Sequence, residues 1–231
     1  MEAAFSDKTA AVAYLFSPGV SKMALSLDKV CEIAHSRGVP VIVDAASMLP
    51  PRENLSKYHK LGADLVIHSG GKGIRGPQGT GILSGKKELI QAAYANASPH
   101  QFLGRSAKVA KEEIVGLLTA LNNFVNEDEQ IENSKFRNKS QKVVDAFSET
   151  PGLNAEVKHD KEDYLTPVSS LLFTEEWDGP KAGEILQKLK EGDTPVFMSN
   201  LIHPDEIIFD PLNVSDNDVD VVIKKIRESM D

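Results

Sequence analysis

Three short apolar runs, each followed by a polar loop or a helical pattern, constrain this fold more than any other feature. They are TAAVAYLF (9–16), VPVIVDAA (39–46) and ADLVIHS (63–69). The first is continuously apolar rather than alternating, so it reads as a strand buried on both faces. After it, Ser26 stands at a helix N-cap, and Leu27, Val30, Cys31 and Ala34 fall at i, i+3, i+4 and i+7 before Gly38 closes the helix. RENLSKYHKLG supplies a shorter, mostly polar helix before the third run. Strand, helix, strand, helix, strand implies right-handed crossovers and a parallel sheet. GTGILSG (79–85) adds a shorter fourth strand, and KKELIQAAYAN returns to helix.

A long helix is expected over about 105–125, with Ile114, Leu117, Leu118, Leu121 and Val125 as one apolar stripe. The polar stretch NEDEQIENSKFRNKSQ extends it as a solvated helix. From Thr150 the pattern becomes that of a small α+β unit, with strands at LNAEVKH, PVSSLLFTE, PVFMSN and EIIFD, and helices at GPKAGEILQKLKEG and SDNDVDVVIKKIRES. The expected division is a large α/β domain at 1–125 and a small domain at 126–231, joined by the long helix.

With 231 residues, 41% of them hydrophobic, the chain can bury a real core. A net charge of −8 argues against a nucleic-acid partner. Cys31 is the one cysteine, so it forms no internal disulfide and reads as a buried thiol. His35, His59, His100, His159 and His203 show no metal-ligand spacing, and no metal is expected. No run reaches the ~18 apolar residues of a membrane helix. MEAAFSDKTA lacks the basic and apolar regions of a signal peptide. These features lead to the expectation of a soluble, cytoplasmic protein.

HSGGKGIRGPQGTG (68–81) raises the question of chemistry. A phosphate loop of the G-x-x-x-x-G-K-[ST] type fails, because Gly73 follows Lys72 and Val66 stands at the first glycine position. Gly71, Gly73 and Gly76 do spell G-x-G-x-x-G, but that motif must open a helix, and Pro77 with GTGILSG turns into a strand instead. The third reading makes Lys72 itself the chemistry. In a parallel α/β sheet, ligands sit beyond the carboxyl ends of the strands. Asp44 and Ser69 end two such strands and Lys72 lies just past the second. A lysine amine, a carboxylate and a hydroxyl on one crevice suit pyridoxal phosphate: a Schiff base, a partner for the pyridine nitrogen, and a phosphate ligand. The plainer alternatives are Asp44 as a cap in its own loop, Lys72 as a surface charge, and Ser69 satisfying loop backbone. His68 reads as a strand-end histidine in a structural hydrogen bond, or as a group tuning the site.

VPVIVDAA, GADLVIHSGGKGIRGPQGTGILSGKKELI and GRSAKVAKEEIVGLLTAL together resemble fold type I pyridoxal-phosphate enzymes. Within them the chain is similar to the branch of D-glucosaminate-6-phosphate ammonia-lyase and selenocysteine synthase (L-seryl-tRNA selenium transferase). The likeness covers about 10–125 and thins beyond. It implies that Lys72 is the Schiff-base lysine, Asp44 the pyridine partner and Ser69 a phosphate ligand, with Ala46 on the ring face. Arg75 and Arg105 are implied near substrate, and the Gln78 to Thr80 stretch, Thr80 foremost, near a neighbouring subunit's cofactor in a homo-oligomer. The implied activity is α,β-elimination, as a lyase or transferase, on an amino acid or amino sugar acid.

The resemblance also implies a longer stretch of chain before the strand ending in Asp44, holding a glycine-rich phosphate loop and a residue stacked on the ring. Residues 1–43 offer no counterpart. Family arginines after segments like TPVFM and FDP correspond here to Ser199 and Leu212. The competing expectation is therefore a catalytically silent partial chain, or half of a split enzyme. Its sheet would expose an apolar face near 9–16.

Overall fold

The three apolar runs form β1 (Val12–Leu15), β2 (Val41–Asp44) and β3 (Leu65–Ser69) in the computed structural model, which describes residues 1–231 apart from the side chains of Val20 and Ser21. These strands pair in parallel, β1 to β2 and β2 to β3. A short turn of helix, α1 (Val20–Met23), precedes α2 (Leu27–His35), which links β1 to β2. α3 (Asn54–Lys60) links β2 to β3. α2 forms as its spacing predicts and buries Leu27, Val30, Cys31 and Ala34.

The fourth strand runs in the opposite direction. β4 (Gly81–Gly85) pairs antiparallel with β3, giving the order β1-β2-β3-β4. Its connection to β3 contains no helix, and a parallel return needs a crossover of a dozen or more residues.

β1 is also not buried on both faces. Its Tyr14 is buried while Ala13 and Leu15 are exposed. The reason lies in the connections. Right-handed β-α-β units stepping in one direction along a sheet lay their helices on the same face. That face holds Tyr14, Val41, Val43, Val66 and His68, all buried. On the other face Leu15, Asp44, Ile67 and Leu83 stand in one register row across all four strands. Leu15, Ile67 and Leu83 are 53%, 36% and 40% exposed.

α4 (Lys87–Asn96) follows β4, and α5 (Lys111–Asn126) comes after a single 3₁₀ turn at Arg105–Ala107. The expected long helix is broken. Glu127 is extended, with ψ 150°, and Asp128 starts α6 (Glu129–Phe147) by accepting from the N–H groups of Gln130 and Ile131. The inward stripe of α5 differs too: Phe124 is buried with Leu117, Ala120 and Leu121 packed beside it, whereas Ile114, Leu118 and Val125 are exposed.

The chain divides into Met1–Glu127 and Asp128–Asp231. The second unit has an antiparallel sheet of β5 (Leu153–Lys158), β6 (Val168–Phe173) and β7 (Glu206–Phe209), in that order. With α6, α7 (Ala182–Glu191) and α8 (Asp218–Met230) it buries Phe147, Leu171, Ile185, Ile207 and Ile226 in its own core. PVFMSN is not a strand; only Ser199 bridges to Ile208. On β7, the buried Glu206 accepts from Lys158 at 2.8 Å, from Ser170 at 2.5 Å and from the Tyr164 hydroxyl. No helix among the described residues is long and apolar enough to cross a membrane.

Asp64 ties the first unit together. It is 1% exposed. Its Oδ2 accepts from the Val41 N–H at 2.6 Å and meets His35 Nε2 at 2.8 Å, and its Oδ1 pairs with Lys86 at 2.5 Å. One carboxylate thus joins the start of β2, the end of α2 and the β4–α4 junction. Burial works to raise its pKa, but Lys86, the Val41 N–H and His35 outweigh it and hold the carboxyl below its ordinary value of 3.8. A lowered pKa adds stability that is present above 3.8 and lost as pH falls through the lower folded value. Asp64→Ala should cost about 3 kcal/mol, since a buried N–H and two charge-assisted bonds lose their acceptor. Denaturant titrations should show that gap constant near neutrality and shrinking only in acid; a gap that widens in acid would contradict the assignment.

Candidate active site

Two adjacent parallel strands deliver the sequence-predicted groups to one edge. Asp44 is the Cα partner of Ile67, and Ser69 lies two residues further along β3, so both side chains belong to the open face. Asp44 and Lys72 are exposed and Ser69 is half-buried. Asp44 Oδ1 accepts from the Ala46 N–H at 3.0 Å, a local turn of the kind aspartate makes after a strand. That bond also fixes Ala46 beside the carboxylate. The Lys72 ammonium makes no hydrogen bond or ion pair among the described residues.

The glycine loop closes on itself. Gly70 N–H donates to Thr80 O at 2.9 Å, Gly76 N–H to Gly70 O at 2.8 Å, and Arg75 N–H to Lys72 O at 2.8 Å. Gln78 Nε2 donates to Gly71 O at 2.9 Å. The glycines have a packing cause: a Cβ on Gly73 would stand 1.9 Å from the Leu49 carbonyl oxygen, and one on Gly70 would stand 2.1 Å from Thr80 Oγ1. Close approach of two backbone segments, here the loop after β2 and the loop after β3, requires the missing side chain.

The remaining candidates are placed differently. Thr80 is buried and donates its hydroxyl to Pro77 O at 2.6 Å. Arg75, in the left-handed region at φ 61°, turns its guanidinium to Glu127 at 2.8 Å. Arg105 is on the 3₁₀ turn after α4, half-buried, with a buried Nε that has no hydrogen-bond partner among the described residues. His68 is 1% exposed, facing away from Asp44 and Ser69 on the opposite side of β3. Burial chiefly lowers its pKa and His59 adds to that, against a hydrogen bond with the Asn54 backbone. Burial, then Asp64 and Asp28, push the Cys31 thiol up to about 11, so it is not a thiolate nucleophile. No group of three or more His, Cys, Asp or Glu among the described residues could hold a metal.

The donor set fits pyridoxal phosphate on the side it covers: an amine, a carboxylate with one unengaged oxygen, and a hydroxyl, at one strand edge beside an open apolar face. Asn54, Tyr58 and Asp64 are polar groups that sequence reasoning passed over. Nothing in their spacing marks them, because only the packing of α3 and β3 reveals their burial.

This architecture is that of the fold type I pyridoxal-phosphate enzymes. The solved structure of D-glucosaminate-6-phosphate ammonia-lyase superimposes with a TM-score of 0.72 at 29% identity, covering 99% of this chain and 59% of that one. The chain belongs to the aminotransferase class-V family, which matches residues 1–161. That family depends on pyridoxal phosphate. Among curated proteins the chain is 30% identical to the D-glucosaminate-6-phosphate ammonia lyase of Salmonella typhimurium over 230 residues, covering 99% of this chain and 59% of the lyase. It is 28% identical to a 5'-C-glycyluridine monooxygenase-decarboxylase of Streptomyces, covering 97% and 55% respectively. The chain therefore spans less than two thirds of the length of these relatives.

Gly73→Ala should disturb the contact between the two loops and cost about 1–3 kcal/mol, read as a lower thermal midpoint. Gly183→Ala, with nothing within 4 Å of the added carbon, is the control. Equal midpoints would remove the packing account of the loop.

Proposed function

We propose that this chain carries the lysine-bearing part of a pyridoxal-phosphate site that acts on an amino acid or amino sugar acid by α,β-elimination, as a lyase or transferase. One observation carries the proposal: the parallel register of β2 and β3 puts Asp44 and Ser69 on one open face, with Lys72 three residues on. When bound, the cofactor supplies an electron sink for negative charge at the substrate Cα. The free oxygen of Asp44 would hold the pyridine nitrogen protonated. Ser69 would donate to the phosphate, and Ala46 would lie against the ring. Lys72 would anchor the cofactor and serve as the general base for the Cα proton. Arg105 offers its unpartnered Nε to a substrate anion, and Arg75 does so on leaving Glu127. Thr80 lies at the boundary with a neighbouring subunit of a cytoplasmic homo-oligomer. The elimination chemistry rests on similarity, and the two relatives above carry names for different reactions.

Borohydride reduction in the presence of pyridoxal phosphate should leave a pyridoxyl group on the peptide holding Lys72, and none on the Lys72→Ala variant. A label on any other lysine would sink the assignment.

The open face favours a second reading, in which these residues are one part of the active unit. Leu15, Ile67 and Leu83 surround Asp44 with exposed apolar surface, and the chain spans 59% of the ammonia lyase. Exposed apolar faces of this kind are normally covered. Protein outside these residues would then cover the face and bring the phosphate loop and ring-stacking residue, and the 231 residues alone would be catalytically silent. Sedimentation of the isolated chain should show self-association, relieved by Ile67→Lys with Leu83→Lys. A monodisperse monomer that binds no hydrophobic dye would contradict this.

A further inference from the structure

Besides Arg105 Nε, three buried side-chain polar atoms of the first unit have no hydrogen-bond partner among the described residues: Asn54 Oδ1, Tyr58 OH and His68 Nε2. They are neighbours. Asn54 and Tyr58 stand one turn apart on α3, 1% and 0% exposed. The His68 ring on β3 lies 6.1 Å from the Tyr58 ring, centroid to centroid.

Their chemistry is fixed by what surrounds them. Asn54 Nδ2 donates to the Met48 carbonyl at 2.7 Å, which sets the amide orientation and leaves Oδ1 as an acceptor. In the neutral tautomer protonated at Nδ1, His68 Nε2 presents a lone pair. Tyr58 brings one O–H. One donor cannot satisfy two acceptors. A water molecule can, by giving its two O–H bonds to Asn54 Oδ1 and His68 Nε2 and accepting from Tyr58. Buried waters make about three such bonds.

We propose that Asn54, Tyr58 and His68 hold one buried water, forming a clamp that sets the spacing between the loops carrying Asp44 and Lys72. The water site is independent of the function proposed above; the role in spacing rests on it. Asn54 grips the Met48 carbonyl, and Met48 N–H donates to Ala45 O at 3.0 Å, next to Asp44. His68 immediately precedes Ser69. The Leu49 carbonyl in turn faces Gly73, beside Lys72. Both halves of the site are thereby fastened to the first turn of α3 from beneath the sheet. Asn54, Tyr58 and His68 touch neither substrate nor cofactor; they are positioning residues.

The test uses the full chain labelled with ¹⁵N-histidine. His68 should show a protonated Nδ1 and a bare Nε2. Tyr58→Phe, which removes only the hydroxyl, should shift the Nε2 resonance and lower the folding equilibrium constant about fivefold. A crystal structure should show one water between the three atoms. A His68 protonated at Nε2, an unmoved Nε2 resonance in Tyr58→Phe, or a dry contact would overturn the water site. In a second arm, Tyr58→Phe should weaken pyridoxal phosphate binding about fivefold by absorbance while the cofactor still maps to Lys72. Binding equal to that of the unmodified chain would overturn the positioning role. If the unmodified chain takes up no cofactor, alone or with protein that covers its open face, the proposed function fails, and the histidine resonances still decide the water site.

Discussion

The parallel pairing of β2 with β3 is the constraint on which the rest of the first unit depends. It sets Asp44 opposite Ile67 and therefore Ser69 on the same face. A slip of one residue would send Asp44 to the face now filled by Val43 and Val66. Asp64 fixes that register from the other end of the strands. It donates its backbone N–H to Val41 O at 3.0 Å and accepts the Val41 N–H on its side chain. A buried carboxylate at the start of β3 thus governs where groups at the carboxyl ends arrive. His35 and Lys86 keep it charged, and in doing so bind α2 and α4 to the same point.

The sheet is finished on one side only. Both crossovers step the same way, so α2 and α3 share a face, and the four-residue row from Leu15 to Leu83 is left to solvent. That is an unfavourable place for leucine and isoleucine. It is also the place where a flat apolar surface lies beside a carboxylate, which is what an aromatic ring with a basic nitrogen requires. The same openness makes its edge suitable for a cofactor and for protein that covers it.

The glycine loop shows how one sequence feature can answer two demands. Its glycines resemble a phosphate cradle, yet Gly70 and Gly73 are needed because Thr80 and the Leu49 carbonyl press against them. The loop is rigidly closed by its own backbone, and Lys72 projects from it as an exposed amine. Rigid backbone under a flexible side chain suits a residue that must hold a group and then release it. Arg75 and Thr80 of the same loop are engaged within the unit, Arg75 with Glu127 at the end of α5 and Thr80 with the Pro77 carbonyl.

The sequence by itself determined the three parallel strands, the inward face of α2, and the arrival of Asp44, Ser69 and Lys72 at a single edge. These follow from local periodicity and from the rule that ligands gather beyond the strand ends, and neither needs knowledge of distant contacts. Only the tertiary structure decided which face of β1 stays open, that β4 runs antiparallel, and which residues of α5 turn inward. Each depends on what packs opposite: Leu117 and Leu121 lie against Leu49, Ile74 and Phe124, while Leu118, on the same helix and equally apolar, finds no partner there and remains exposed. The buried polar groups Asn54, Tyr58, Asp64 and His68 belong to the same class. Their residue types are common on surfaces, and burial changes their chemistry only once α3 and the strands have come together.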